Sequence, residues 1–450
     1  MKNGFRKIIT PAAVITLVLV LCVSLSSCII FPGGSYDLSG EYPEGSIGDW
    51  ISGLTGDGDT GKSVDKGGSD SIQVIAGDTN TITIEAGDGD GTQYAIAKTL
   101  MSTVSVVANF TVRTSGGIWG GSSTSTATSG GAGVIIKLDK ERGDAIIVTN
   151  YHVVYEVDST TSNNISSDIG IYLYGSETYL SGSEAMKIPA TFVGGSMNYD
   201  IAVLYVENSS ILRESDAQTV SIADSNDIRV GQTVFTVGNQ KGEGISVTRG
   251  IISMESQTIT MTAVDEVSTV TQRVIRVDAA INAGSSGGGL FNDSGELIGI
   301  VNAKNIETNV DNIGYAIPSN IAKAIAESII DYCTESSNEK PVRALIGITV
   351  EATASKATYN MSTGFVDITE DVAVAAINSG SPASGKLKAG DVVKTMTIGD
   401  KTIEVTRTYH IVDFMLTARV GDTVTLKVLR NGSEMTFSFT ITESNLSTVQ

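Results

Sequence analysis

Cysteine is nearly absent. Of three cysteines, Cys22 and Cys28 belong to an apolar leader and its end, so only Cys333 remains in the body. One thiol cannot staple a fold, and no Cys/His spacing suits a metal, so apolar cores must hold the chain together. Histidine is scarcer still: His152 and His410 are the only two, which shortens the list for any imidazole chemistry. Basic residues are few, with 30 Lys plus Arg against 50 Asp plus Glu and a net charge of −20. A chain this acidic repels phosphate backbones, and no basic stripe overrides the average, which excludes nucleic acid as a partner.

Glycine is plentiful at 49 residues, as are Ser and Thr, and 41% of the chain is apolar. That mixture favours strands joined by turns over helical bundles, and 450 residues are enough for two or three domains. At the start, Lys2, Arg6 and Lys7 precede an apolar run from Ala12 to Val23, and Leu25-Ser-Ser-Cys28 follows. This is the pattern of a bacterial lipoprotein signal, so 1–27 is expected to be removed and Cys28 to carry the lipid. The alternative is an uncleaved transmembrane anchor within Ile8 to Phe31. Either way the body is expected outside the cytoplasm, tied to the bacterial membrane.

Residues 28–94 are rich in Gly, Ser and Asp and read as a flexible tether, with a hairpin expected at Ser71 to Ala76 and Thr81 to Ala86. Gly56 to Ser63 fits the phosphate-loop pattern, but it lacks the flanking strand and helix, and Asp57 and Asp59 would repel phosphates. Asp88-Gly-Asp90 lacks the Gly and Glu that complete a calcium loop. Both read as solvated linker, and no cofactor or metal is expected.

After a helix at Ala95 to Met101, short apolar runs recur between Gly-rich turns: Val104–Val112, Val134–Leu138, Ala145–Thr149, Ile201–Val206, Thr233–Val237, Ser246–Ile252, Val274–Val277 and Leu297–Val301. Their spacing predicts a mostly β protein of paired barrels or sandwiches. Ile321 to Tyr332 has helical spacing and closes this unit, and a polar linker from Glu335 to Lys340 precedes Pro341.

Three segments carry chemistry. His152 follows a strand in Thr149-Asn-Tyr-His-Val-Val154; alone, a histidine there reads as structural. Asp200 opens the apolar strand Ile201–Val206, where a carboxylate can accept from an imidazole N–H and fix its tautomer. Ser286 sits among glycines in Gly284-Ser-Ser-Gly-Gly288, a setting that suits a tight turn with converging backbone amides. Together the three occur in the order His, Asp, Ser, which is the chymotrypsin order and not that of subtilisin or the α/β-hydrolases.

The blocks TNYHVV, YDIAVL and INAGSSGGGLFNDSGELIGI resemble the catalytic blocks of the HtrA/DegP family of trypsin-like serine proteases. Gly231–Asn239, Val247–Ser253 and Gly314–Asn320 match further family blocks, and the resemblance runs from about residue 95 to 445. It implies a chymotrypsin-like double β-barrel over 95–335. It also implies Ser286 as nucleophile, His152 as general base and acid, Asp200 as orienting carboxylate, and the N–H groups of Gly284 and Ser286 as oxyanion hole. The strand around Ile300–Asn302 would pair with substrate backbone. The family has Pro where Ala283 and Gly289 stand and Asn where Ser285 stands, which points to a looser loop.

Residues 342–446 resemble the family's PDZ domain, an α+β module, on Ser379–Ala383, Leu387–Val393 and Val420–Leu429. The resemblance implies capture of peptide C-termini on the amides of Leu345, Ile346, Gly347 and Ile348. His410, at the start of a helix from Tyr409 to Leu416, reads as packing. The implied function is an extracytoplasmic endoprotease for unfolded or damaged exported proteins, as a homotrimer, with unfolded protein or peptide substrates. A catalytically silent, chaperone-like surface binding protein is the alternative, and an esterase is disfavoured by the appended peptide-binding module.

Overall fold

The structure is a computed structural model and describes residues 71–75, 81–85, 91–114, 123–176, 184–303, 313–333 and 340–449. The leader 1–27, Cys28 and the stretches 56–63 and 88–90 lie outside the described residues. Among the described residues no helix is long and apolar enough to cross a membrane. The expected hairpin forms: β1 (Ser71–Ile75) pairs antiparallel with β2 (Thr81–Glu85), Val74 opposite Ile82.

Helix α1 (Thr92–Ser102) leads into a closed barrel of six strands. These are β3 (Thr103–Thr114), β4 (Ser123–Asp139), β5 (Asp144–Thr149), β6 (Asp168–Leu173), β7 (Ile188–Ser196) and β8 (Ile201–Val206), in the order β3-β4-β5-β8-β7-β6. A one-turn helix, α2 (Tyr151–Val154), follows β5, and α3 (Ser210–Glu214) follows β8, its first turn capped by Ser209 Oγ accepting from Leu212 N.

Strands β5 and β8 are buried along their whole length, which explains why they read as continuous apolar runs rather than alternating ones. Successive side chains point to opposite faces. Ala145, Ile147, Ala202, Leu204 and Val206 fill the first barrel, while Ile146, Val148, Ile201, Val203 and Tyr205 face a second core outside it.

A second closed barrel follows: β9 (Thr233–Gly238), β10 (Ser246–Thr262), β11 (Thr269–Val277), β12 (Gly289–Asn292), β13 (Leu297–Val301) and β14 (Gly314–Pro318), ordered β10-β11-β14-β13-β12-β9. Helix α4 (Ser319–Tyr332) leaves this barrel and packs on β7 and β8, burying Ile321, Ile325 and Ile329, spaced four apart. The two barrels therefore share one core.

The third unit begins with β15 (Val342–Ala344) and contains β16 (Ile348–Tyr359), β17 (Val366–Ile377), β18 (Val392–Ile398), β19 (Lys401–Glu404), helix α5 (Thr408–Met415), β20 (Thr423–Arg430), β21 (Ser433–Thr440) and β22 (Leu446–Thr448). Its main sheet is ordered β16-β17-β18-β20-β21, and β15 pairs with β22 in a separate ribbon. Val372, Val393, Met396, Leu426 and Phe439 form its core. The mostly β architecture of two barrels plus an α+β module agrees with the expectation. Strands β6 and β7 were not foreseen, and β4 and β10 run well past their apolar segments: the added half of β10 is largely exposed, and that of β4, though mostly buried from Ala127 to Gly133, is made of small Ser, Thr, Gly and Ala residues.

Candidate active site

The three segments singled out above meet at the seam between the barrels. Strand β5 ends at Thr149, and α2 turns the chain so that His152 points inward, 8% exposed. The four-residue turn 197–200 between β7 and β8 presents Asp200, which is 1% exposed. His152 Nδ1 and Asp200 Oδ2 are 2.7 Å apart, and the His152 backbone N–H donates to Asp200 Oδ1 at 3.0 Å. In the tautomer with its proton on Nδ1, the ring donates to this carboxylate and Nε2 is left with its lone pair.

Two further side chains, which the motif reading did not assign, complete this arrangement. Asn302 Nδ2 donates to Asp200 Oδ2 at 3.0 Å from the end of β13, and Asn150 Nδ2 donates to the Asp200 carbonyl at 2.8 Å. Tyr151 N–H donates to that same carbonyl at 3.2 Å. Both asparagines are fully buried. The available signal was a polar residue closing an apolar strand, as Asn302 closes Leu297–Val301, just as Asp200 opens one. Tyr151 packs on Tyr155 and Phe192, and burial, with Tyr155, pushes its phenol up to about 12, so it stays neutral beside the imidazole.

Ser286 comes from the second barrel on the turn before β12 and is 4% exposed. Its carbonyl accepts from Ala132 N–H at 2.8 Å, across the seam, and its Oγ accepts from Ala303 N–H at 3.3 Å. The following Gly287 has φ +82°, and a Cβ there would meet Ala132 O at 2.2 Å and Thr149 Oγ1 at 2.3 Å. Only glycine lets the turn press this closely on the strand end that carries His152.

The loop before Ser286 is held as well. Ser285 N–H donates to Asn282 O at 2.9 Å, and Ala283 O accepts from Lys241 N–H at 2.7 Å. In a trans peptide the C=O and the next N–H point in opposite directions. Tying the Ala283 carbonyl to Lys241 therefore turns the Gly284 N–H the other way. Among the described residues, no carbonyl takes the N–H of Gly284 or Ser286. Of the positions expected to loosen the loop, Ala283 is tied to Lys241, and a Cβ on Gly289 would meet the Phe291 ring at 2.3 Å.

Among the described residues no His/Cys/Asp/Glu group could hold a metal ion. In the third unit, Leu345 N–H donates to Asn445 O at 2.8 Å, so that amide is not open to a ligand. The N–H groups of Ile346 and Gly347 have no acceptor among the described residues, and Gly347 has φ +76° at the head of β16. Ile348 enters the sheet opposite Ile377. His410 is 9% exposed, with Nδ1 3.1 Å from Glu404 O, as expected of a packing residue.

A family model for the trypsin-like peptidase domain matches residues 131–300, and one for the PDZ domain matches 344–441. The chain is 33% identical to Serine protease Do-like HtrA of Bacillus subtilis (strain 168), over 73% of this chain and 68% of the relative. It is 31% identical to Serine protease Do-like HtrA of Lactococcus lactis subsp. cremoris (strain MG1363), over 78% of this chain and 82% of the relative. A solved structure of the HtrA-type protease AlgW with decapeptide aligns with a TM-score of 0.46 at 24% identity, covering 78% of this chain and 98% of that one. With two such relatives and both domain matches, this chain belongs to the HtrA family of trypsin-like serine proteases that carry a C-terminal PDZ domain.

Proposed function

We propose that the chain is an extracytoplasmic serine endoprotease that cleaves unfolded or damaged exported proteins through an acyl-enzyme on Ser286. The observation that carries this reading is the buried 2.7 Å contact between His152 and Asp200, at the same seam as Ser286. His152 Nε2, left with its lone pair, takes the Ser286 proton as Oγ attacks the scissile carbonyl. The Gly284 and Ser286 amides receive the negative charge that develops on the carbonyl oxygen. His152 returns the proton to the leaving amine, and water then repeats the sequence on the ester.

Asp200, bonded by His152 and Asn302, orients the imidazole and stabilises the imidazolium that forms. The PDZ domain captures peptide C-termini, with the Ile346 and Gly347 amides binding the carboxylate and the β16 edge pairing with the peptide. The leader directs the body outside the cytoplasm, with lipid on Cys28, and the assembly is a homotrimer.

The test is cleavage of a permanently unfolded protein by the full chain beside its Ser286→Ala variant. Cleavage by the parent and none by the variant supports the reading. Equal cleavage by both sinks the nucleophile assignment, and no cleavage by either, with or without PDZ-binding peptides, favours a binding protein. Incorporation of labelled fatty acid into the parent but not into Cys28→Ala tests the anchor.

A further inference from the structure

Strand β16 is an edge strand, and a long one. It spans 12 residues, Ile348–Tyr359, at the end of the main sheet of the third unit. Exposed edges are normally kept short or blunted by charge or proline. This one has no proline, and Glu351 and Lys356 are its only charged residues; Ala, Thr and Ser fill most of the rest. Among the described residues nothing pairs with its outer edge.

The strand also outruns the sheet that carries it. Strand β17 pairs with β18 only at Ala373, opposite Val392. From there outward β16 and β17 continue as a two-stranded arm, with Ala354 to Tyr359 in unbroken register against Val366 to Asp371. Such a ribbon is marginal in water, and a third strand over an apolar face is what would complete it. The arm is held in place from its β17 side. Asp367 Oδ1 accepts from Arg229 Nε at 2.8 Å, and Glu370 N–H donates to Thr406 O at 2.7 Å. The outer edge of β16 is left open.

Side chains alternate along the arm, so Val366 and Ile368 share a face with their partners Tyr359 and Ala357. That face is apolar and uncovered: Tyr359 is 62% exposed, Val366 46% and Ile368 36%. Glu370, next on the same face, accepts from the Thr408 N–H at 2.8 Å, at the head of α5. Helix α5 packs beside β16, so the apolar patch continues the surface between them. At the other end of that surface lie the Ile346 and Gly347 amides.

We propose that peptide capture runs the whole length of β16, so that a bound tail of about twelve residues becomes the third strand of the arm. The proposal rests on the reading of the Ile346 and Gly347 amides as the carboxylate site. A tail whose C-terminus sits at the head of β16 must run antiparallel to it. Counted one residue per strand residue, positions about ten from its end then lie beside Ala357 and Tyr359. Apolar side chains there cover Tyr359, Val366 and Ile368. The partner is therefore a long unfolded tail with an apolar pair well upstream of its end, rather than a short terminal motif.

The experiment measures fluorescence anisotropy with the full chain carrying Ser286→Ala, so that peptides are not cut. The probes are a fourteen-residue Ser/Thr peptide ending in a Val-Val carboxylate, with Tyr-Val ten residues upstream, and its last five residues alone. Each cross-strand pair adds about 1.5- to 5-fold in affinity, against the cost of ordering the tail. The long peptide is expected to bind at least about tenfold tighter than the short one. Adding Tyr359→Ser/Val366→Ser brings the long peptide to within about threefold of the short one, and leaves the short one and the thermal midpoint unchanged. N-methylation is then placed on either of two neighbouring upstream amides. In a strand only one of the two faces β16, so one methylation removes the gain and the other does not.

Equal affinity of the two peptides would overturn the proposal, as would a gain that survives the double substitution and both methylations. A peptide-free chain that self-associates through the arm, with the association lost in Tyr359→Ser/Val366→Ser and no gain from peptide length, would overturn it in favour of a second copy at this edge. No binding of the short peptide, with no effect of amidating the end of the long one, would instead remove the carboxylate capture on which the proposal stands.

Discussion

Replacing Gly284 with alanine should disable the proposed oxyanion hole while leaving His152, Asp200 and Ser286 in place. Gly284 has φ +90°, outside the small left-handed basin open to other residues, so alanine costs about 1–2 kcal/mol in backbone strain alone. Space is the harder constraint, since a Cβ would lie 2.1 Å from Asn239 O. That carbonyl cannot retreat easily. Asn239 Nδ2 donates to Ser105 Oγ at 2.7 Å, its Oδ1 accepts from Gly244 N–H at 2.9 Å, and its carbonyl accepts from Gly242 N–H at 3.1 Å. The Ala283–Gly284 peptide must rotate instead, which breaks the 2.7 Å bond from Lys241 N–H to Ala283 O and swings the residue 284 amide away. Loss of one such donor costs about 10²–10³ in kcat, or about 2.7–4 kcal/mol of barrier. Steady-state kinetics on a peptide substrate should show that fall with KM within about threefold, since the donor acts on charge that develops only in the transition state. A folded Gly284→Ala protein with kcat within about fivefold of the parent would refute the reasoning, because the loss of a hole donor is one of the larger single terms in such a site.

Three other outcomes follow from the packing. Burial, aided by Arg273 and Arg407 and opposed by the Glu404 carbonyl and Asp224, holds the His410 imidazole below its usual value. Its folded-state affinity for a proton is then lower than the unfolded one, so the stability it permits is complete above about pH 6.5 and is lost as pH falls below that; scanning fluorimetry from pH 8 to 5 should show a steeper fall for the parent than for His410→Gln. Burial would lift the Asp391 carboxyl, but Arg430 at 2.6 Å and the Lys388 N–H at 2.8 Å outweigh it and hold it below the carboxylate range. That contribution is present above about pH 4 and is lost as pH falls through the depressed value, so Asp391→Asn should lower the urea midpoint of the PDZ domain at neutral pH, and by less as the pH is lowered below about 4. Leu204→Ala, at a fully buried position in the first barrel, should destabilise the protease unit by about 2–5 kcal/mol in denaturant unfolding, and a smaller loss would mean that the barrel collapses onto the gap.

Much of the site was legible because its chemistry is local in sequence. A histidine one turn past a strand, an aspartate opening a strand and a serine among glycines each carry their own signature. The apolar runs marked most of the strands for a similar reason, with Leu297–Val301 and Ile201–Val206 matching the observed bounds. What escaped was long-range. Asn302 is 102 residues from the Asp200 it bonds, and its role depends on which strand end the topology brings there. Lys241 holds the Ala283 carbonyl through a backbone N–H, which any residue type supplies, so no side chain advertises it. The Leu345 amide seemed open to a ligand until the return of the chain at Asn445 placed a carbonyl against it.

The proposed chemistry is also a statement about the seam. His152 and Asp200 belong to the first barrel and Ser286 to the second, so no single barrel holds the machinery. Among the described residues, the bonds that cross the seam include three that are buried: Ala132 N–H to Ser286 O, Asn239 Nδ2 to Ser105 Oγ, and Asn302 Nδ2 to Asp200 Oδ2. Opening it would leave each of these groups unpaired in an interior, at about 1–3 kcal/mol apiece and more for the carboxylate. It would also strip α4 from β7 and β8, against which Ile321, Ile325 and Ile329 are buried. A small slippage between the barrels is therefore disfavoured twice over, by polar groups and by packing. Alignment of the three residues is inherited from the fold as a whole, with local backbone adjustment at the 197–200 turn, where Asp200 has φ +53°, and at Gly284 and Gly287 beside Ser286.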